Sequence, residues 1–271
     1  MSAYKGYLIQ EDGDSYIGSI KSIDIPIVQD QHVLINVEFS SLNYKDALSA
    51  SGPKYGVTRE YPFVPGIDAA GKILESKSPN FNVGDEVIVT GYSMGMSVFG
   101  GFGEIVHVPA NWVVKLPKNM SLKESMNYGT AGLTAAASVR KIIDNGIDEK
   151  KPILVSGATG GVGSVAVNIL SKLGYEVHAL TGKNNEDIFL KTIGADSIVN
   201  RDDFMQDPVR PLDKALYGGA VDTVGGDILA KIISKVSPKS SISACGNVAV
   251  SYTHLRAHET EADLVCRLLL E

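Results

Sequence analysis

Hydrophobic and polar residues alternate in short runs along the first part of the chain, up to about Pro117. Such alternation is typical of β-strands that bury one face. Turn residues such as Asp12-Gly13-Asp14 separate the runs. The pattern predicts strands over 16–20, 33–39, 71–74, 86–90 and 104–108. We therefore expect this part of the chain to form a compact, mainly β domain.

From Ser121 onward the pattern changes to helical periodicity, first over 122–128 and then over 131–143, ending near Asn145-Gly146. An alternation of strands and helices follows. Largely apolar strands are predicted at 153–156, 176–180, 197–200, 221–224 and 241–244. Apolar strands separated by helical stretches indicate a parallel sheet covered by helices on both faces. The predicted fold class is therefore α/β.

Composition excludes several classes of protein. The net charge of −6 disfavours nucleic acid as a partner, because affinity for a phosphate backbone is built from clustered Lys and Arg. Two cysteines, Cys245 and Cys266, are too few for a disulfide framework, as expected of a cytoplasmic protein. The first ten residues lack the pattern of a signal peptide, and no apolar run approaches the length of a membrane span. We expect a protein that is neither secreted nor membrane-bound.

A glycine-rich segment, Gly157-Ala158-Thr159-Gly160-Gly161-Val162-Gly163, lies between the predicted strand 153–156 and a helical pattern that ends at Gly174. This order lets backbone N–H groups and the positive end of a helix approach two phosphates. The spacing departs from the common G-x-G-x-x-G, and the alternative is a tight turn with close helix packing. The dinucleotide interpretation makes Thr159, Gly160, Gly161 and Val162 candidate pyrophosphate contacts.

The next predicted strand indicates which dinucleotide is bound. In NAD sites an acidic residue at its end binds the ribose hydroxyls, but here the chain reads Leu180-Thr181-Gly182-Lys183. A cation in place of an acid favours a 2′-phosphate, and therefore NADPH, with Lys183 as the leading contact beside Thr181 and Gly182. Arg201, just past the third strand, either closes over the same phosphate or is a solvated loop residue.

Several motifs occur together in a fixed order: 40–46 (Ser-Ser-Leu-Asn-Tyr-Lys-Asp), 65–71, 83–87, 129–135 and the glycine-rich segment. In this order they resemble the medium-chain dehydrogenase/reductase superfamily. Segments 42–46 and 219–226 resemble its zinc-free quinone oxidoreductases of the acryloyl-CoA reductase branch. The resemblance implies a GroES-like catalytic domain over 1–120, a doubly wound Rossmann NADP-binding domain over 121–250, and an active site in the cleft between them. It also implies a homodimer when full length.

The resemblance bears on metal and reaction class. Zinc-dependent members carry Cys where this chain has Asn43, and a His-Glu pair where it has Ile67-Asp68. A catalytic zinc needs about three protein ligands, so no metal is predicted. Without that Lewis acid, we expect hydride transfer to a conjugated C=C of an enone or acyl-CoA thioester, or to a quinone. Hydrogen-bond donors can hold the enolate that develops.

The resemblance also names candidate catalytic residues. Asn43 and Tyr44 are the expected donors, and the matching Tyr in this branch also touches the cofactor. Asp46 and Asp68 match polar positions of the same site. They either relay or tune a proton, or they fix loops by accepting N–H bonds.

Thr130 and the segment 245–247 are further candidates for contact with the cofactor. Thr130 resembles a family position near the nicotinamide, and its hydroxyl is alternatively a helix cap. Cys245-Gly246-Asn247 follows the fifth strand of the predicted sheet, where strand ends face the cofactor, and we expect backbone contacts there.

The resemblance ends after about Val250. Residues 251–271 resemble translated sequencing-adapter read-through, so we expect a non-native tail and a Rossmann domain truncated at its C-terminus. A metal site built from His254, His258 and Cys266 is an alternative for this tail. For the function, the alternatives are a one-electron quinone reductase and a catalytically idle NADPH-binding stress protein.

Overall fold

A computed structural model describes residues 2–208 and 213–246. The chain divides into two compact units, the first ending at Thr130 and the second beginning at Ala131. Over the described residues, no helix is both long and apolar enough to span a membrane. The tail 251–271 and its His254, His258 and Cys266 lie outside the described residues.

The first unit is mainly β. Its strands are β1 (Ala3–Asp12), β2 (Ser15–Asp24), β3 (His32–Phe39), β4 (Asp68–Ser76), β5 (Glu86–Thr90), β6 (Ile105–Pro109) and β7 (Val113–Lys115). β1 and β2 form an antiparallel hairpin whose turn contains Gly13 at φ 60°. The other strands form an antiparallel sheet in the order β6-β3-β4-β5-β7. Its core is built from apolar residues of these strands, such as Val33, Ile73 and Val106.

Strands β2 to β6 confirm the predicted strands, and β5 has the predicted bounds. The sequence pattern missed β1 and β7. β1 contains Gly6, a residue that weakens a strand pattern, and here it forms an isolated bridge with Gly103. A Cβ on Gly6 would meet the Ile23 side chain at 2.8 Å, so close packing explains the glycine.

Two helices that begin in the first unit matter for the site. α1 (Tyr44–Ala50) follows β3 and was not predicted, because seven residues are too few to show a clear helical period. α2 (Leu122–Asn145) is interrupted at Gly129, which has φ 49° and ψ −151°. The interruption confirms the two separate helical stretches that the periodicity predicted, and it precedes the last residue of the first unit, Thr130.

The second unit is an α/β sandwich. Its strands are β8 (Ile153–Ser156), β9 (Val177–Thr181), β10 (Ser197–Asn200), β11 (Gly219–Asp222) and β12 (Ile242–Ala244). Its further helices are α3 (Gly161–Lys172), α4 (Asp187–Thr192), α5 (Arg201–Met205) and α6 (Gly226–Lys235). The strands pair in parallel in the order β10-β9-β8-β11-β12. This is the Rossmann order 3-2-1-4-5 within the described residues, and it reverses between β8 and β11.

Alternate residues of the central strand β8 pack on opposite faces of this sheet. Ile153 and Val155 belong to one core cluster and Leu154 to another. The predicted sheet with two covered faces is thereby confirmed. β8 and β10 have the predicted bounds, whereas β11 begins two residues earlier than predicted and ends at Asp222. The first half of β11 was not predicted because it consists of the small residues Gly219 and Ala220, whereas strand patterns are recognised by large apolar side chains.

Candidate active site

Asp46 forms hydrogen bonds that fix the N-terminus of α1. Asn43 precedes the helix, and its backbone N–H donates to Oδ2 of Asp46 at 2.8 Å. The other carboxylate oxygen, Oδ1, accepts the backbone N–H of Ile67 at 2.9 Å. Asp46 is buried, and burial raises its pKa while the two N–H bonds oppose the rise. The carboxylate thus links the segment before α1 to the segment before β4.

Asp68, the first residue of β4, gathers donors from three segments. Its Oδ2 accepts the Ser41 hydroxyl at 2.5 Å, the Asn43 side-chain amide at 2.8 Å and the Thr130 N–H at 2.9 Å. Its Oδ1 accepts the Thr130 hydroxyl at 2.7 Å. Asp68 has no exposed surface. The carboxylate is saturated with donors, the arrangement expected of a residue that fixes loops.

The predicted residues Asn43, Asp46, Asp68 and Thr130 are therefore brought together in the first unit. For Asp46 and Asp68 the sequence left two alternatives, which were to relay or tune a proton or to fix loops by accepting N–H bonds. The observed contacts of both carboxylates are those expected of residues that fix loops. Ser41 belongs to this cluster and was not predicted. Its place in the motif before α1 was visible in the sequence, but its contact with Asp68 was not.

Asn43 and Tyr44 differ in how they are held. The amide of Asn43 uses one N–H toward Asp68 and has a second N–H donor. Tyr44, in the first turn of α1, is 67% exposed. Asn43 is consequently a fixed donor, whereas the Tyr44 ring is accessible to a ligand.

In the second unit, the glycine-rich segment connects β8 to α3. Gly157 has φ 57°, a backbone conformation that residues with a side chain rarely adopt. A Cβ on Gly163 would lie 2.8 Å from the Cα of Ala158, so this turn of α3 packs directly on the loop. Gly160 is the N-cap of α3. The first N–H groups of a helix have no partner within it, and they make its N-terminus a site for anions.

Cations stand at the ends of the neighbouring strands. Lys183 follows β9, and its backbone N–H donates to the Thr181 hydroxyl at 3.1 Å. Arg201 follows β10, and its guanidinium lies against Gly182, where an added Cβ would be 2.7 Å from the Arg201 Cζ. Asp202 accepts from Nη2 of Arg201 at 3.0 Å. The structure thus places the predicted residues Thr181, Gly182, Lys183 and Arg201 together at one edge of the sheet.

Cys245 and Gly246 follow β12. The backbone N–H of Cys245 donates to the Asp222 carbonyl at 2.9 Å. A Cβ on Gly246 would collide with the backbone of Thr223, so the glycine permits a close approach of two chain segments. Asn247 lies outside the described residues. Ser156 and Asp222, both buried at the ends of β8 and β11, belong to the same edge and were missed by sequence reasoning.

Across residues 2–208 and 213–246, no three His, Cys, Asp or Glu side chains gather into a group that could hold a metal ion. Both oxygens of Asp68 accept hydrogen bonds from the protein.

The two folds define a class of protein. Residues 29–118 match the alcohol dehydrogenase GroES-like domain family. A GroES-like unit followed by a Rossmann-type parallel sheet with a glycine loop is the architecture of medium-chain dehydrogenases and reductases.

Similar proteins narrow this class. The chain is 44% identical over 238 residues to a putative quinone oxidoreductase, YhfP, of Bacillus subtilis, covering 88% of this chain and 72% of the relative. It is 40% identical to a probable acrylyl-CoA reductase, AcuI, of Escherichia coli, covering 88% and 73%. The chain belongs to the zinc-independent medium-chain dehydrogenase/reductase branch of these proteins and is an oxidoreductase.

Solved structures support the same assignment. The crystal structure of Bacillus subtilis yhfP with NAD bound superposes with a TM-score of 0.86 at 42% identity, covering 91% of this chain and 75% of that chain. The yhdH oxidoreductase of Salmonella enterica in complex with NADP has a TM-score of 0.84 at 38% identity, covering 90% and 74%. The predicted family and fold class are confirmed, and the bound cofactor in these neighbours is a nicotinamide dinucleotide.

Proposed function

We propose that this protein is an NADPH-dependent reductase that reduces the conjugated C=C of an α,β-unsaturated thioester such as acryloyl-CoA, or of an enone, or a quinone. One observation carries the proposal: the glycine loop enters α3 where the sheet order reverses, and Lys183 and Arg201 stand at the ends of the next two strands. Dinucleotides bind at such a reversal point. The relatives named quinone oxidoreductase and acrylyl-CoA reductase support both acceptor classes.

The residues of the second unit fit a dinucleotide. Gly157 turns the chain with a positive φ, and Gly160 caps α3 without a side chain that would obstruct a phosphate. We assign the pyrophosphate to the segment Thr159, Gly160, Gly161 and Val162, as the charge of a helix N-terminus favours. The N–H of Gly160 already donates to the Gly157 carbonyl at 2.9 Å, so Gly160 is proposed to allow close approach of the phosphates while the other three residues offer their N–H groups. Cys245, Gly246 and Asn247 are proposed to add backbone contacts.

The preference for NADPH is proposed from charge. Lys183 and the Arg201 guanidinium against Gly182 supply positive charge where an NAD site would carry an acid. The Arg201 side chain is 51% exposed and pairs with Asp202, so the guanidinium is accessible to a further anion. One neighbour holds NADP and another holds NAD, and titration of this protein with both nucleotides measures the preference.

When bound, NADPH would supply a hydride, which carries two electrons to one carbon of the conjugated acceptor. The enolate that results takes a proton from water at its α-carbon to give the saturated product, and a reduced quinone takes its protons at oxygen. The residues of the first unit supply the rest. We assign the second N–H of Asn43 and the Tyr44 hydroxyl to the oxygen on which enolate charge develops. Tyr44 additionally orients the nicotinamide, with Thr130 nearby. Asp46 and Asp68 act as positioning residues, because their oxygens already accept donors from the loops that carry Asn43 and Thr130.

The test follows NADPH absorbance with acryloyl-CoA, a simple enone and a quinone in parallel. Stoichiometric loss of NADPH with formation of the saturated product is expected for at least one acceptor. Semiquinone radicals detected with the quinone would instead support one-electron reduction. Tight NADPH binding without turnover of any acceptor would overturn the reductase proposal in favour of an idle NADPH-binding protein.

Two properties complete the proposal. The low cysteine content supports a cytoplasmic location, and the family resemblance supports a homodimer. Sedimentation of the purified protein with and without NADPH tests the subunit number.

A further inference from the structure

Ser156 and Asp222 form a buried polar pair where the parallel sheet reverses its order. Ser156 ends β8 and Asp222 ends β11, and these strands are paired neighbours. Neither residue has any exposed surface. Polar side chains buried at a strand end require partners, and Ser156 is the residue directly before Gly157.

The pair is fully engaged with the neighbouring backbone. The Ser156 hydroxyl donates to Oδ1 of Asp222 at 2.5 Å and accepts the Thr223 N–H at 3.0 Å. Oδ2 of Asp222 accepts the Gly225 N–H at 2.8 Å. The Thr223 hydroxyl in turn donates to the Ser156 carbonyl at 3.0 Å. These bonds fix the end of β8 to the turn that leads from β11 into α6.

The same network reaches the glycine loop by contact. Gly157 has φ 57°, and a Cβ there would collide with the Thr223 hydroxyl. The Asp222 carbonyl also accepts the Cys245 N–H at 2.9 Å, so residue 222 holds the end of β12 as well. Residue 222 thus contacts the end of β8 through its side chain and the end of β12 through its backbone carbonyl.

Within the described residues, hydrogen bonds satisfy the side chain of Asp222 without a cationic partner. Among the residues that the structure describes, no salt bridge includes Asp222. Burial raises its pKa, while hydrogen bonds from Ser156, Gly225 and Val224 lower it. A buried carboxyl group costs stability unless hydrogen-bond donors satisfy it. If the end of β11 needed only to pack, an apolar residue at position 222 would therefore be more stable than Asp222.

We propose that Asp222 is a positioning residue for the nucleotide site: acting through Ser156 and Thr223, it fixes Gly157 so that the loop presents its N–H groups to the pyrophosphate. This inference rests on the proposed function, because it assigns the loop to a nucleotide. It also adds to that function, because Asp222 is fully buried and is assigned a role through its neighbours and not through contact with the nucleotide.

The test uses the full chain and the variants Asp222→Asn and Ser156→Ala, with Leu190→Ala as a control. Asn preserves the shape of Asp222 but turns a hydrogen-bond donor toward Ser156 or Gly225. Leu190 is fully buried in the core of the same unit and lies on α4, outside the network. Amide hydrogen exchange of segment 157–163 and the NADPH dissociation constant are measured for each protein, together with its melting temperature.

Asp222→Asn is expected to speed exchange in segment 157–163 and to raise the NADPH dissociation constant, each about tenfold, which is the size of one charged hydrogen bond. Ser156→Ala should act in the same direction. Leu190→Ala should lower the melting temperature and leave the NADPH dissociation constant unchanged. Equal effects of Leu190→Ala and Asp222→Asn on the loop would overturn the inference, as would unchanged exchange in Asp222→Asn. If the wild type binds no NADPH, the proposed function fails, and the exchange data still decide whether Asp222 fixes the loop.

Discussion

The side-chain amide of Asn43 donates a hydrogen bond of 2.8 Å to Oδ2 of Asp68, and the same oxygen accepts the N–H of Thr130. Asn43 lies before α1, and Thr130 follows the break of α2 at Gly129. One carboxylate therefore holds two segments that are distant in sequence. It also fixes the orientation of the amide that we assign to the reacting oxygen.

Replacing Asp68 tests how much this arrangement stabilises the protein. Asp68→Asn removes one acceptor oxygen and places an N–H among donors, so we expect the free energy of unfolding to fall by about 2 kcal/mol. Urea denaturation measures the change. Glu86→Gln is the control, because the Lys72–Glu86 pair is half-exposed and such pairs contribute roughly 0–1 kcal/mol. An equal loss in both variants would contradict the role assigned to Asp68.

Asn43 should matter for the rate and Ser41 should not. Both side chains donate to Oδ2 of Asp68, but only Asn43 is proposed to hold the reacting oxygen. We expect Asn43→Ala to lower kcat about 100-fold, as for the loss of an oxyanion donor, with the KM for NADPH unchanged. Ser41→Ala removes a bond to the same carboxylate and should change kcat by less than about threefold. Similar losses of kcat in the two variants would show that Asn43 acts only through its hydrogen bond to Asp68.

The raised pKa of Asp46 predicts a definite pH dependence of stability. Because burial raises the pKa in the folded state, the folded protein binds the proton more tightly than the unfolded chain. The contribution of Asp46 to stability is therefore largest at acidic pH and falls as the pH rises through the folded pKa. The free-energy difference between wild type and Asp46→Asn should be larger in acid than at neutral pH, as urea denaturation at both pH values will show.

For Asp85 we expect the opposite pH dependence of stability. Hydrogen bonds from Asn82 and Lys115 lower its pKa, so its contribution is present at neutral pH and is lost as the pH falls through the folded pKa. The difference between wild type and Asp85→Asn should accordingly grow with pH. The same trend in the two variants would show that the burial of Asp46 does not control its titration.

Lys183 should determine the choice of nucleotide. Lys183→Asp removes a cation from the proposed 2′-phosphate site and adds a repelling charge, so we expect the NADPH dissociation constant to rise at least about tenfold. The NADH dissociation constant should change by less than about threefold. Fluorescence titration measures both. Lys172→Asp makes the same charge change at the exposed C-terminal end of α3 and should leave both constants unchanged.

Gly182 should act through Arg201. A methyl group at position 182 would occupy the place of the Arg201 guanidinium, whose flexible end can move aside. We expect Gly182→Ala to reduce the ratio of NADPH to NADH affinity about threefold. In an Arg201→Ala background the same substitution should have no further effect. An undiminished effect in that background would mean that Gly182 is needed for another reason.

Local patterns in the sequence were sufficient for much of the fold. The bounds of β5, β8 and β10 follow from runs of apolar residues, and the break of α2 from an interrupted helical period with Gly129 between its halves. The glycine loop was recognisable because only residues without a Cβ permit its conformation and its contact with α3. Lys183 could be selected because it directly follows a predicted strand.

The sequence by itself thus determined most of the elements, though not β1, β7 and α1, together with the order of the two folds and the family, because each of these depends on residues close together in the chain. Only the tertiary structure decided which polar groups meet. Asn43 and Asp68 are 25 residues apart, Asp68 and Thr130 are 62 apart, and Ser156 and Asp222 are 66 apart. No local periodicity encodes such pairs. They form because strand pairing and helix packing bury these side chains together, and a buried polar group must then find its partner across the fold.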